Sequence, residues 1–278
     1  MTAHELINLD AYPIHQEGAQ RQEVLSRVRA DLEFDGCAVL KGFLTPQGIR
    51  ALRDEADLVA DQAHQSFNRT NVYFTSDDPS LPKTDPRRQF YDRSNAFVPA
   101  DNFAKTGPLR SIHDFDGFDQ FLKDCFEQDA FYRYADPLAD VIINTATEGN
   151  GFPWHFDTNN FTVTLAIQNA EEGGAFEYAP AIREGSENFE EVSCVLEGTS
   201  DKVRVLELEP GDLQLFRGRY SLHRVAPLTG QRPRYVAIFS YVEQPDMVGN
   251  PERTQQLYGR TLPIHWERAG KRSDAYID

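Results

Sequence analysis

Residues 151–160, "GFPWHFDTNN", set His155 and Asp157 two positions apart. In an extended strand, positions i and i+2 share a face, so an imidazole and a carboxylate would enter the same space. Two ligands hold a catalytic ion poorly, and His223 supplies a third. It lies 66 residues beyond Asp157, in "LEPGDLQLFRGRYSLHRV", where a β-rich stretch, a Pro-Gly-Asp turn, a second β-rich stretch and a Gly-containing turn lead into it. Two histidines and one carboxylate on one face of an ion suit Fe(II) and leave three positions open for a bidentate cofactor and dioxygen. Zinc enzymes more often use three histidines or an HExxH helix. His4, His15, His64, His113 and His265 have no partner at ligand spacing and read as surface or structural residues.

Arg232 and Arg234 follow His223 by nine and eleven residues, at the start of the apolar stretch "RYVAIFSY". A guanidinium there can grip a dicarboxylate through paired hydrogen bonds while the other end of that molecule chelates the metal. Arg234 opens the stretch and is the preferred anchor. Arg232 precedes a proline and is the alternative. Cys37, Cys125 and Cys194 are odd in number and far apart, which indicates buried thiols in a reducing compartment rather than a disulfide framework or a thiolate zinc site.

Positioning such a site requires a scaffold. Helical spacing of apolar residues runs from Gln20 to Leu32 and again from Thr45 to His64, the second segment opening with a capping Thr and a Pro at its first turn. A short strand, "GCAVLKGF", is expected between them. Residues 68–110 carry five prolines and little periodicity and are expected as irregular chain, a lid or wall of the site. "FDGFDQFLKDCFEQ" reads as a helix.

From Ala139 onward the pattern becomes β-rich: "DVIINTAT", "FTVTLAIQNA", "GAFEYAP", "KVRVLELE", "LQLFRG" and "RYVAIFSYV", separated by turns such as "EEGG" and "EPGD". The expected fold is mainly β with flanking helices, a sandwich or barrel rather than a βαβ sheet. "NPERTQQLYGRTLPIHWERAGKRSD" begins with a capping Asn and a Pro, predicting a C-terminal helix that folds over one mouth of the β-domain before a polar tail. The expected organisation is a single domain over 1–278, with a helical and loop-rich part at 1–138, a β core at 139–245 and a C-terminal helix and tail at 246–278.

Forty per cent apolar residues with 12% aromatics describe an ordinary globular chain. Twenty-eight basic against 44 acidic side chains leave a formal charge of −16, which repels a phosphate backbone and anionic headgroups, so neither nucleic acid nor a membrane is an expected partner. No basic segment followed by an apolar run opens the chain and no long apolar stretch interrupts it, so a cytoplasmic location is expected. Oligomeric state is not readable.

The His-x-Asp pair, the distal His223 and the arginine about ten residues further on resemble the Fe(II)/2-oxoglutarate-dependent oxygenase superfamily. That likeness implies a double-stranded β-helix (jelly roll, cupin-like), with Fe(II) as metal and 2-oxoglutarate and O2 as co-substrates. Over more of the chain, "NVYFTSDDPSLP", "YRYADPLAD", "GGAFEYAPAIR" and "ERTQQLYGR" look like the free-amino-acid radical halogenases, typified by the lysine halogenase, and their hydroxylating relatives. The halogenases carry Gly where this chain has Asp157. With Asp157 bound the halide position is filled, and hydroxylation is the implied outcome, with desaturation and ring closure as other endings of the same hydrogen abstraction.

The implied substrate is small, a free amino acid or similar zwitterion. Arg93, in the segment expected to wall the site, is the candidate for its carboxylate, and Tyr258 is the candidate to close the pocket. Thr158 is a further candidate contact, although strand alternation would send it to the opposite face. Trp154 reads as core. An oxygenase acting on a peptide or carrier-bound residue, and a non-catalytic jelly-roll binding protein, are the competing readings.

Overall fold

A computed structural model of the chain describes residues 1–268. Eight α-helices occur among them: α1 (Ala3–Leu6), α2 (Ala19–Asp35), α3 (Pro46–Val59), α4 (Pro108–His113), α5 (Phe118–Phe126), α6 (Phe189–Glu197), α7 (Pro251–Tyr258) and α8 (Pro263–Glu267). The strands before the site are β1 (Cys37–Leu40), β2 (His64–Thr70), β3 (Tyr91–Val98), β4 (Tyr132–Arg133) and β5 (Val141–Ala146). There follow β6 (Phe152–His155), β7 (Phe161–Gln168), β8 (Glu172–Gly173), β9 (Phe176–Ala179), β10 (Arg204–Leu206), β11 (Leu213–Phe216), β12 (Leu222–Val225), β13 (Leu228–Thr229) and β14 (Arg234–Val242).

The strands form two main antiparallel sheets. The larger runs β1-β11-β7-β14-β5-β3-β2, with β4 added to the end of β14, and the smaller runs β10-β9-β12-β6. This is the expected double-stranded β-helix, flanked by helices.

Strand sequence dictates which face does what. In β14, Tyr235, Ala237, Phe239 and Tyr241 pack into the main core beneath the N-terminal helices, while Arg234, Val236, Ile238 and Ser240 face an interior cavity. The period of two is that of a pleated strand. β7 divides in the same way: Phe161, Val163, Leu165 and Ile167 enter the core, and Thr162 and Thr164 face the cavity. The larger sheet is thus covered on one side by α1 to α5 and lined with polar groups on the other.

The helix starts follow their local chemistry. Thr45 Oγ1 accepts the Gly48 N–H at 3.0 Å ahead of Pro46, and Asn250 Oδ1 accepts the Glu252 N–H at 2.9 Å ahead of Pro251. Caps of this kind stabilise a helix by about 1 kcal/mol.

Four expectations are corrected. Residues 68–110 are not one irregular wall: β3 pairs with β2 and β5 inside the larger sheet, so the irregular stretch is the connection between β2 and β3. Helix α3 ends before His64, which begins β2 instead. Helix α6, with Val192 and Val195 buried and Gly198 at its end in the left-handed region (φ 72°), falls in a stretch where no element was expected. Cys37 and Cys125 are buried but Cys194 is only half-buried, and all three are free thiols. The polar tail lies outside the described residues, among which no helix is long and apolar enough to cross a membrane.

Candidate active site

β6 and β12 are neighbours in the smaller sheet, and their register pairs His155 directly with His223. The ring centroids are 4.1 Å apart. β6 ends at His155, so Asp157 reaches the site from the turn beyond the strand, not by strand alternation. Its backbone is fixed by the Asp157 N–H donating to Gly218 O at 3.1 Å. Asp157 Oδ1 lies 3.4 Å from His155 Nε2 and 3.4 Å from His223 Nε2.

The remaining atoms of each ligand are committed elsewhere. His155 Nδ1 is 2.8 Å from Pro153 O and His223 Nδ1 is 2.9 Å from Ser221 O, contacts that put the proton on Nδ1 and leave the Nε2 lone pair facing the centre. The second carboxylate oxygen, Asp157 Oδ2, accepts from Thr162 Oγ1. A side-chain carbon on Gly218 would overlap Oδ2 and press on Thr162, so glycine is required there for the carboxylate to sit where it does.

Electrostatics favour the ligand forms. Burial, then the neighbouring His223, pushes the His155 imidazolium down to about 3, so the ring is neutral. Burial alone would raise the Asp157 carboxyl, but the two imidazoles outweigh it and hold the group well below the usual carboxylate range. Ligand atoms of all three lie within 4.8 Å of one another. Donors held about 2.1 Å from one ion at right angles are about 3 Å apart, so the set needs only a small contraction to share a metal.

The three residues open on a cavity of about 940 Å³ between the two sheets. Arg234, the first residue of β14, lines it from the larger sheet, paired in register with Ala146. Its side chain is 7% exposed, and burial without a charged partner pushes its pKa down to about 10. A buried guanidinium with no ion pair among the described residues is costly on its own, which suits a site completed by an incoming carboxylate.

Arg232 does not reach this space. It is exposed and donates from Nε and Nη2 to the backbone carbonyls of Asn169 and Ala170, both at 2.9 Å. Arg93 does line the cavity, from β3 rather than from a loop, with its guanidinium 4.3 Å from the Phe152 ring centroid and 4.6 Å from that of Phe74. Tyr258 lines it from α7 with its side chain buried. Thr158 lines it too, because the strand has already ended and alternation no longer applies. Trp154 is half-buried against the smaller core, where the Arg224 guanidinium lies 4.8 Å over its ring.

Sequence reasoning missed Thr162, Gly218, Phe74 and Arg253. Phe74 takes a left-handed backbone conformation (φ 61°), rare for a residue with a side chain, and projects into the cavity. Arg253 stands on α7 with its guanidinium 4.3 Å from the Phe74 centroid.

A jelly roll that brings two histidines and a carboxylate together, with a buried unpaired arginine on the facing sheet, is that of an Fe(II)/2-oxoglutarate-dependent oxygenase, which takes dioxygen as its other co-substrate. Within that class the chain belongs to the family described as Halogenase D, whose profile matches residues 20–258. No curated protein matches the sequence.

Among solved structures, the chain is similar to a 2OG-Fe(II) oxygenase-family oxidoreductase from Burkholderia pseudomallei, with 13% identity and a TM-score of 0.51 over 82% of this chain and 93% of that one. It is also similar to a Trichoplax adhaerens prolyl hydroxylase in complex with a hypoxia inducible factor peptide, with 14% identity and a TM-score of 0.52 over 81% and 91%. A third likeness is the epimerase SnoN in complex with Fe3+, alpha ketoglutarate and nogalamycin RO, with 11% identity and a TM-score of 0.53 over 80% and 84%. At these identities the likenesses establish the fold.

Proposed function

We propose that this protein hydroxylates an unactivated carbon of a small, amino-acid-like substrate, with His155, Asp157 and His223 as the iron ligands and Arg234 as the anchor for the far carboxylate of 2-oxoglutarate. The observation that carries this reading is the presence, in one cavity, of a two-histidine, one-carboxylate set and a buried guanidinium with no ion pair among the described residues. Bound Fe(II), 2-oxoglutarate and dioxygen together supply the oxidising chemistry, in which 2-oxoglutarate becomes succinate and carbon dioxide as the substrate gains an oxygen atom.

The residues of this chain supply place and orientation. Pro153 O and Ser221 O fix the two imidazoles in the tautomer that offers Nε2 to the metal. Thr162 and the backbone of Gly218 fix the carboxylate of Asp157. Arg234 would hold the far carboxylate of 2-oxoglutarate from the facing sheet by a charge-assisted contact. Arg93 takes the substrate carboxylate, and Thr158 and Tyr258 border the space left for the remainder of the substrate. Side chains from both sheets and α7 enclose the reacting carbon and keep the oxidant from solvent.

Asp157 supports hydroxylation over halogenation, since its carboxylate would take the metal position that a halide would need. Anaerobic titration with Fe(II) and 2-oxoglutarate should give the weak visible charge-transfer band of the chelate, diminished in Arg234→Ala. Aerobic screening of free amino acids should then release succinate with particular amino acids and yield a product heavier by one oxygen, with or without chloride. Absence of the band in the wild type at saturating iron would overturn the assignment of these residues, and a chlorinated product would overturn hydroxylation.

A further inference from the structure

Phe74 lines the cavity from the irregular connection between β2 and β3, with its backbone in the left-handed region at φ 61°. That conformation is disfavoured for a bulky side chain and persists only where the surroundings impose it. Asn71, fully buried, imposes it here. Its Oδ1 accepts the N–H groups of Tyr73 at 3.0 Å and Thr75 at 3.2 Å, and its Nδ2 donates to Thr75 Oγ1 at 2.9 Å and to Arg87 O at 2.6 Å. The Asn71 carbonyl accepts the Phe74 N–H at 3.2 Å. One buried amide thus folds the turn around Phe74 and ties the start of the connection to its far end.

Core packing does not account for this arrangement. Tyr73, the preceding residue, joins Val72 and Phe156 in the smaller core, whereas Phe74 is half-buried and belongs to no hydrophobic cluster among the described residues. Its ring meets functional groups instead. The centroid is 6.1 Å from that of His155, and the guanidinium carbons of Arg93 and Arg253 lie 4.6 Å and 4.3 Å from it. Under the proposed function Arg93 takes the substrate carboxylate and His155 holds the metal. Phe74 reaches both, so a small molecule held at one and oxidised beside the other lays its intervening carbons along this ring.

We propose that Phe74 is a specificity-determining residue, kept in its disfavoured backbone conformation so that its ring contacts the carbon chain of the substrate between the carboxylate and the reacting carbon and limits how bulky that chain can be. The inference rests on the proposed function for the two ends that the ring joins. An aromatic ring supplies a rigid apolar surface to aliphatic carbons and keeps water from the same space.

The test uses the full chain with Fe(II) and 2-oxoglutarate under anaerobic conditions, and reads binding of the standard protein amino acids by calorimetry and by perturbation of the charge-transfer band. Glycine adopts the left-handed region freely, so Phe74→Gly removes the ring without disturbing the turn, and circular dichroism verifies the fold. Amino acids that bind the wild type are expected to bind Phe74→Gly about tenfold more weakly, the worth of burying about two methylene groups, with the 2-oxoglutarate band unchanged. Discrimination against bulkier chains should narrow, and Phe74→Leu should recover part of both losses. Metal-free Phe74→Gly should melt above Phe74→Ala, since the two lack the same ring and differ in the cost of the left-handed backbone. Unchanged affinity and selectivity in a folded Phe74→Gly, a loss of the 2-oxoglutarate band as large as the loss of amino-acid binding, or equal melting of the glycine and alanine variants overturns the inference while leaving the amino-acid reading in place. A normal band in the wild type that no amino acid perturbs, with no heat of binding, overturns both.

Discussion

The α-carbon of Gly218 rests against the carboxylate of Asp157, so that any side chain at position 218 would occupy the place of Oδ2. Gly218→Ala is therefore expected to displace the carboxylate while leaving the strands intact. Fe(II) affinity should fall about 10- to 100-fold, the usual effect of disturbing groups that orient a ligand. Anaerobic metal titration, with circular dichroism to verify the fold, measures this. Unchanged affinity would show that Asp157 is not held at the metal by this contact.

Thr162 holds the same carboxylate oxygen by donating its hydroxyl to Oδ2. Thr162→Val removes the hydroxyl at nearly constant volume and should weaken Fe(II) by about tenfold. Thr162→Ser should recover most of the loss. If valine and serine behave alike, the hydroxyl has no part in aligning the ligand.

Arg234 predicts opposite effects on stability and on ligand response. Replacing a buried guanidinium that has no ion pair among the described residues with methionine removes a desolvation cost, so metal-free Arg234→Met should be more stable than wild type by on the order of 1–4 kcal/mol and unfold at a higher temperature. The rise in melting temperature that 2-oxoglutarate with Fe(II) produces in wild type should be absent in the variant. A calorimetric scan with and without co-substrate tests both halves, and a retained response to 2-oxoglutarate would place its carboxylate elsewhere.

His113 predicts a pH dependence. It is buried, stacks on Phe239 at 5.8 Å between centroids, and has no hydrogen-bond partner on either ring nitrogen. Burial, then the charge of Arg133, pushes it from the ordinary 6.5 down to about 4. Above pH 6.5 the ring is neutral in both folded and unfolded chains and contributes no pH dependence. As pH falls from 6.5 toward 4 only the unfolded chain takes up the proton, and stability is lost by on the order of 3 kcal/mol. Denaturant unfolding of His113→Phe at pH 7 and pH 4.5 should show a smaller acid loss than wild type, and equal slopes would refute the assignment.

The cluster of His155, Asp157 and His223 was legible because its residue types are rare in combination and because a turn after one apolar strand leads directly into its third member. The position of Arg234 in the same cavity was legible because it begins an apolar strand eleven residues after His223. Thr162 and Gly218 left no such trace, since their effect depends on the fold bringing a hydroxyl and a bare backbone to one carboxylate. Strand β3 was hidden for the reason that makes it useful: Arg93 occupies a cavity-facing position where an apolar residue would have announced the alternation. Helix α6 did leave a signal, with Val192 and Val195 on one side and Gly198 as its stop, and the surrounding turn-rich sequence obscured it.

Helix α7 reaches the cavity from outside the β-helix, packing on β2 and β3 and contributing Arg253 and Tyr258. The proposed iron ligands and Arg234 all come from strands and turns that precede it in the chain. The eight residues of this helix thus form a cassette beside the proposed metal ligands: exchanging its inward-facing side chains offers a route to a reshaped cavity that leaves the histidines and the carboxylate in place.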